Sequence, residues 1–130
     1  MTGTVEYPPR EAILEAHQRL IELYGGAPGI RNAGGVEAAL ARAQQIEAYG
    51  EPSIFALATA IAFGLARIHH PFVDGNKRVA FFAAFTTLWL NGWRLDVAEQ
   101  DAAETVERMA AGDISEDEFA GWLRQGCRRR

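Results

Sequence analysis

His70, Asp74, Gly75, Asn76, Lys77 and Arg78 lie within one nine-residue span, and as a set they suit chemistry on an anion. An imidazole has an intrinsic pKa near neutrality, so His70 can take a proton from a hydroxyl at physiological pH. Asp74 follows four residues later. A carboxylate beside phosphate requires a neutralising cation, and magnesium takes one or two protein carboxylates while phosphate oxygens and water fill its other positions. Asp74-Gly75-Asn76 does not comfortably continue a helix, whereas Val79-Ala80-Phe81-Phe82-Ala83-Ala84-Phe85 begins one. Asn76, Lys77 and Arg78 are therefore expected at a helix N-terminus, where unpaired N–H groups and partial positive charge favour phosphate. Gly75 lets the backbone approach closely. Lys77 and Arg78 place two cations in a first turn that the helix dipole disfavours, and a bound polyphosphate gives them a reason to be there. This is the outline of a phosphoryl or nucleotidyl transfer site.

The distribution of residue types supports that emphasis. Lys77 is the only lysine in the chain, every other cation being arginine, and two of the three histidines stand side by side at His69 and His70. Neighbouring residues on a helix point in different directions, so His69 is expected at a packing or surface position rather than as a second base.

Long apolar segments must hold this loop. Ile54 to Ile68 is apolar on nearly every side, and Val79 to Leu90 likewise; helices of this kind belong at the centre of a bundle. The loop therefore joins the two most buried helices, with Phe72 as its anchor in the core. Around them, Pro8-Pro9 suits a helix start, and Ile13, Leu14, Leu20, Ile21 and Tyr24 have helical spacing up to Gly25-Gly26. His17 falls inside that helix and is expected to be packed or half-exposed, with nothing near it in sequence to recruit it for chemistry. A Gly-, Pro- and Asn-rich loop from Gly25 to Gly35 leads into the alanine-rich helix Val36 to Ala43, and Tyr49-Gly50-Glu51-Pro52 ends it before Ser53, a plausible N-cap. Asn91-Gly92 stops the second buried helix, and Trp93 to Val97 reads as a short extended connection. Asp101-x-x-Glu104 and Ser115-x-x-Glu118 fit capping arrangements for two further helices. Arg128-Arg129-Arg130 reads as a frayed, solvated tail. No strand-alternating run of useful length occurs, so the fold class is all-α: one domain, residues 1–130, in a bundle of about six helices.

The run His70-Pro71-Phe72-Val73-Asp74-Gly75-Asn76-Lys77-Arg78 resembles the motif of the Fic/Doc family, H-P-F-x-[DE]-G-N-x-R, at all seven fixed positions. In that family the position before the last arginine is usually glycine in the AMP-transferring Fic proteins and lysine in the Doc toxins of toxin–antitoxin pairs; Lys77 stands there. Gly29-Ile30-Arg31-Asn32 with Glu37-Ala38-Ala39-Leu40-Ala41-Arg42 is similar to a looser Doc hallmark, and marks Arg31 as a contact to target or nucleotide. The resemblance implies a kinase that uses ATP and magnesium to place the γ-phosphate on a hydroxyl of a translation factor. The family target is a threonine of elongation factor Tu, and translation halts. It assigns His70 as general base, Asp74 as metal ligand, and Gly75, Asn76, Lys77 and Arg78 as the phosphate site. It also implies a flap around Ala48 to Pro52 that aligns the target by strand-like pairing, and a Phd-type antitoxin, since no self-inhibitory S/T-x-x-x-E-[GN] motif is found. AMP transfer and a catalytically idle antitoxin-binding module remain the alternatives.

Composition sets the remaining bounds. A net charge of −4 gives no broad basic surface for nucleic acid. The single cysteine, Cys127, leaves no internal disulfide and fits a reducing cytoplasm, which the resemblance to Doc toxins implies is a bacterial one. Met1 to Tyr7 lacks the basic and apolar regions of a signal peptide, and apolar runs of about a dozen residues fall short of the roughly 20 that span a bilayer.

Overall fold

Ser53 starts the central helix: its hydroxyl accepts from the Ala56 amide at 3.1 Å, and α3 (Ile54–Phe63) follows with every residue from Leu57 onward buried. In the computed structural model, which describes residues 4–130, this helix does not end where the α-hydrogen bonding does. It runs on as a π-helical turn, Gly64–His69, that delivers the chain to the motif loop. Such wider turns are frequent at functional sites. Beyond the loop, α4 (Asn76–Leu90) packs back on α3, burying Val79, Ala80, Ala83, Ala84, Thr87 and Leu88.

Three other helices enclose this pair. Pro9 is the N-cap of α1 (Arg10–Tyr24), which packs on α4. The helix α2 (Gly35–Ala48) packs on α3 and its π turn, and α6 (Glu116–Gly126) packs on α3 as well. The sixth helix, α5 (Glu99–Ala111), lies across α4 and the π turn. The all-α expectation holds in number and kind, with core residues such as Ile13, Ile61, Leu65, Leu88, Met109, Phe119 and Leu123 fully buried. At the start of the described chain, Tyr7 donates to Glu47 at 2.6 Å; burial and that carboxylate push its phenol well above the usual range.

Three expectations are corrected. The Arg128-Arg129-Arg130 segment is not a frayed tail. Strand β2 (Cys127–Arg129) pairs antiparallel with β1 (Trp93–Leu95), Trp93 opposite Arg129 and Leu95 opposite Cys127. Arg129 also lies over Trp93 and Arg130 over Trp89, each 4.4 Å from the ring centroid. Cation–π contacts and a short ladder hold what charge alone would leave solvated. Asp101 does not cap α5, which begins two residues earlier after Ala98; its carboxylate instead accepts from the Trp122 indole at 3.1 Å. The expected flap at Ala48 to Pro52 does not stand beside the motif. The α2 start is against it, since a Cβ on Gly35 would meet Pro71 Cβ at 2.7 Å. Ala48 is thirteen residues further along the helix, about 20 Å away at 1.5 Å per residue.

The segment that pairs with the motif is Gly29 to Asn32: Ile30 bridges Phe72 in antiparallel fashion. Arg31 N–H and Asn32 N–H both donate to the Pro71 carbonyl, and Val73 N–H donates to that of Gly29. Burial pushes the Cys127 thiol up to about 11, so it is not a reactive thiolate. No helix among the described residues is long and apolar enough to cross a membrane. The expected lack of a leader rests partly on Met1 to Gly3, which lie outside the described residues.

Candidate active site

The motif loop is fixed by its own side chains before any charge comes into play. Phe72 is 1% exposed, its ring stacked on that of His17 with centroids 3.7 Å apart. The Asn76 side chain turns back over the loop, accepting from Phe72 N–H at 3.0 Å and donating to Phe72 C=O at 2.9 Å. Gly75 adopts φ +82°, which glycine takes at no steric cost. His70 adopts φ +44°, a left-handed conformation that is uncommon and costly for a residue with a side chain, and that clusters at active sites.

These constraints leave the start of α4 open. The first bond of α4 runs from Val79 N–H to Gly75 C=O. The amides of Asn76, Lys77 and Arg78 have no acceptor among the described residues. They border a cavity of about 470 Å³ whose walls include His70, Asp74, Gly75, Lys77 and Arg78. His70 and Asp74 thus line one hollow, and no group among the described residues hydrogen-bonds the His70 ring. Asp74 is exposed, with one oxygen accepting from Gly75 N–H at 3.0 Å and the other from Ala27 N–H at 3.2 Å. Each oxygen keeps lone pairs for a cation, so a single-carboxylate magnesium site completed by phosphate and water fits this donor set.

The two cations are held apart. Arg78 donates to the Gly25 carbonyl at 2.9 Å, where the negative end of α1 offsets the positive end of α4. Lys77 pairs with Glu107 at 2.7 Å, the side chains 50% and 65% exposed, and both residues line the cavity. Exposed pairs of this kind contribute about 0–1 kcal/mol, little enough for a phosphate to displace. A second, apolar hollow of about 610 Å³ adjoins the first at Lys77, Arg78 and Glu107 and extends past Tyr24, Phe81 and Phe85.

The sequence profile of the Fic/DOC family matches residues 7–88, which contain the whole of this loop. The chain belongs to the Fic/Doc family. Relatives of this Fic/Doc chain include Toxin Doc of Mycolicibacterium smegmatis, 36% identical over 124 residues and covering 91% of each chain. Another is Protein kinase doc of Escherichia phage P1, 34% identical over 116 residues, covering 88% of this chain and 90% of that one. Two Doc proteins aligned along nearly their whole length place it in the Doc toxin branch.

Of the residues singled out in the sequence, His70, Asp74, Gly75, Asn76, Lys77 and Arg78 all line the cavity, and Phe72 anchors the loop beneath it. Asn76 acts on the loop through its amide group and offers the cavity its backbone N–H. Arg31 contributes its backbone amide to the pairing with Pro71; its side chain is exposed and is not among the cavity walls. Sequence reasoning missed Glu107, which enters the Fic/Doc site from α5. A signal was present: Ala110 and Ala111, three and four residues on, share its helix face and also line the cavity, small side chains making room where a bulky one would fill the space. It also missed Ala27, whose amide reaches Asp74 from a loop with no chemical marking of its own.

Proposed function

We propose that this Doc-like protein is a toxin that transfers the γ-phosphate of ATP to a hydroxyl of a translation factor, with a threonine of elongation factor Tu as the family-implied target. The observation that supports this best is the shared hollow, lined by His70 and Asp74 together with Asn76, Lys77 and Arg78, whose amides have no acceptor among the described residues. The amides and Arg78 bind the phosphate chain; Lys77 leaves Glu107 and takes up charge as the phosphoryl group moves. His70 accepts the proton of the target hydroxyl. Asp74 holds magnesium, which when bound neutralises charge between carboxylate and phosphates. Phosphoryl rather than adenylyl transfer is favoured by Lys77, whose length in place of glycine alters how a triphosphate can lie in the loop. A Phd-type antitoxin is the proposed partner, supported by the apolar hollow beside Lys77 and Arg78.

Incubation with ATP labelled separately at the α and γ positions, together with candidate translation factors, tests this directly. Transfer of the γ label to protein is expected. Transfer of the α label makes the protein an AMP transferase, and transfer of neither, with antitoxin binding intact, makes it an idle binding module.

A further inference from the structure

His17 is a polar side chain that the proposed chemistry does not use, yet it is buried to 5% exposure on α1. Its ring lies on Phe72 with the planes 7° from parallel, and its Nε2 stands 2.7 Å from the carbonyl oxygen of Asp74. A carbonyl only accepts, so Nε2 carries the proton and donates. The same ring edge faces the next residue, since a Cβ on Gly75 would lie 3.4 Å from Nε2. Asp74 is thus gripped from two sides, at its carbonyl by α1 and at its carboxylate by the Ala27 amide from the loop after α1. Turned toward His17, the Asp74 carbonyl is not an acceptor for Arg78 N–H one turn further on, and that amide has no acceptor among the described residues.

We propose that His17 is a positioning residue for phosphoryl transfer. Through the Asp74 carbonyl and the Phe72 ring it sets the loop geometry in which the α4 amides remain free for phosphate and Asp74 lines the cavity. This rests on the cavity being a nucleotide site. It is distinct from a mere core role, because a core histidine would influence melting and leave binding per folded molecule untouched.

Two variants of the full chain separate the ring from its donor. His17→Phe keeps an aromatic ring on Phe72 and removes the N–H; His17→Gln removes the ring and carries an amide nitrogen at about the reach of Nε2. Calorimetric titration with ATP and magnesium, alongside thermal unfolding, is expected to show His17→Phe melting modestly below the wild type, because one carbonyl is left unpaired, and binding about tenfold more weakly per folded molecule. His17→Gln is expected to recover most of that loss, and in transfer assays the change should fall on KM more than on kcat. Equal binding by His17→Phe and wild type overturns the proposal, as does a His17→Gln protein that binds no better than His17→Phe. Should His17→Phe melt far below the wild type, His17→Asn replaces it, its amide being too short to reach Asp74; binding equal to that of His17→Gln then overturns the proposal. A wild type that binds neither ATP with magnesium nor inorganic phosphate instead removes the nucleotide site itself, an outcome distinct from a wild type and variant that bind alike.

Discussion

Two helix N-termini in this molecule are built in opposite ways. At α6, the Ser115 hydroxyl accepts from Glu118 N–H at 3.1 Å while the Glu118 carboxylate accepts from Ser115 N–H at 2.8 Å, and Glu116, Asp117 and Glu118 put three acids in the first turn. Both the donors and the dipole are answered from within the chain. At α4 the cap is Gly75 in the left-handed region with no side-chain acceptor, and the first turn carries Lys77 and Arg78 with no acid. Asn76, which could have capped, spends its side chain on Phe72. A helix end shaped for stability satisfies itself, whereas one shaped for a ligand stays unsatisfied and is held in place by its surroundings. Breaking α4 should therefore change chemistry with little change in stability, and breaking α6 should do the reverse.

The largest expected effect is that of His70→Ala, which should lower transfer by roughly 10²–10⁴-fold, the contribution of a positioned general base, with ATP affinity nearly unchanged by titration. Equal loss of binding and transfer would remove His70 from the role of base. Next is Phe72→Ala. With Phe72 1% exposed, truncation should cost about 3–5 kcal/mol in denaturant unfolding, the one change at this end that acts on the fold as well. Lys77→Ala should reduce transfer by about 10²-fold, as for loss of one transition-state donor. Its stability should shift by under about 1 kcal/mol, because its partner Glu107 is an exposed one. A Lys77→Ala protein that loses stability and keeps its rate would make the Lys77–Glu107 pair a structural strut.

Much of this contrast was legible in the sequence. The stretch from His70 to Arg78 supplies most of the residues that line the candidate cavity, and Ser115-x-x-Glu118 announces its capping box outright. What could not be read were contacts between residues distant in the chain. His17 is 57 residues from Asp74 and Lys77 is 30 from Glu107; local periodicity says nothing about which helix faces meet. Asp101-x-x-Glu104 shows the limit of a short pattern: it satisfies the same template as Ser115-x-x-Glu118, yet the chain is already helical at Glu99. The terminal arginines failed for a related reason, their order being supplied by Trp89 and Trp93 on a remote segment.

The smallest effect sharpens the contrast most. Ser115→Ala should cost about 1 kcal/mol, the usual loss for an N-cap hydroxyl, read as a lowered denaturation midpoint, with transfer unchanged because α6 contributes nothing to the cavity walls. The partner acid adds a pH signature. Donation from Ser115 N–H, ahead of the Ser115 hydroxyl contact, holds the Glu118 carboxyl below its ordinary value. A group depressed by folding contributes stability that is fully present above its unfolded pKa and is lost as pH falls through the folded one. Glu118→Gln should therefore lower the midpoint at neutral pH and bring the curves for variant and wild type together in acid. Curves that stay parallel throughout would mean that the Glu118 charge plays no part in closing this helix end, and that the two N-termini differ by their hydroxyl and glycine alone.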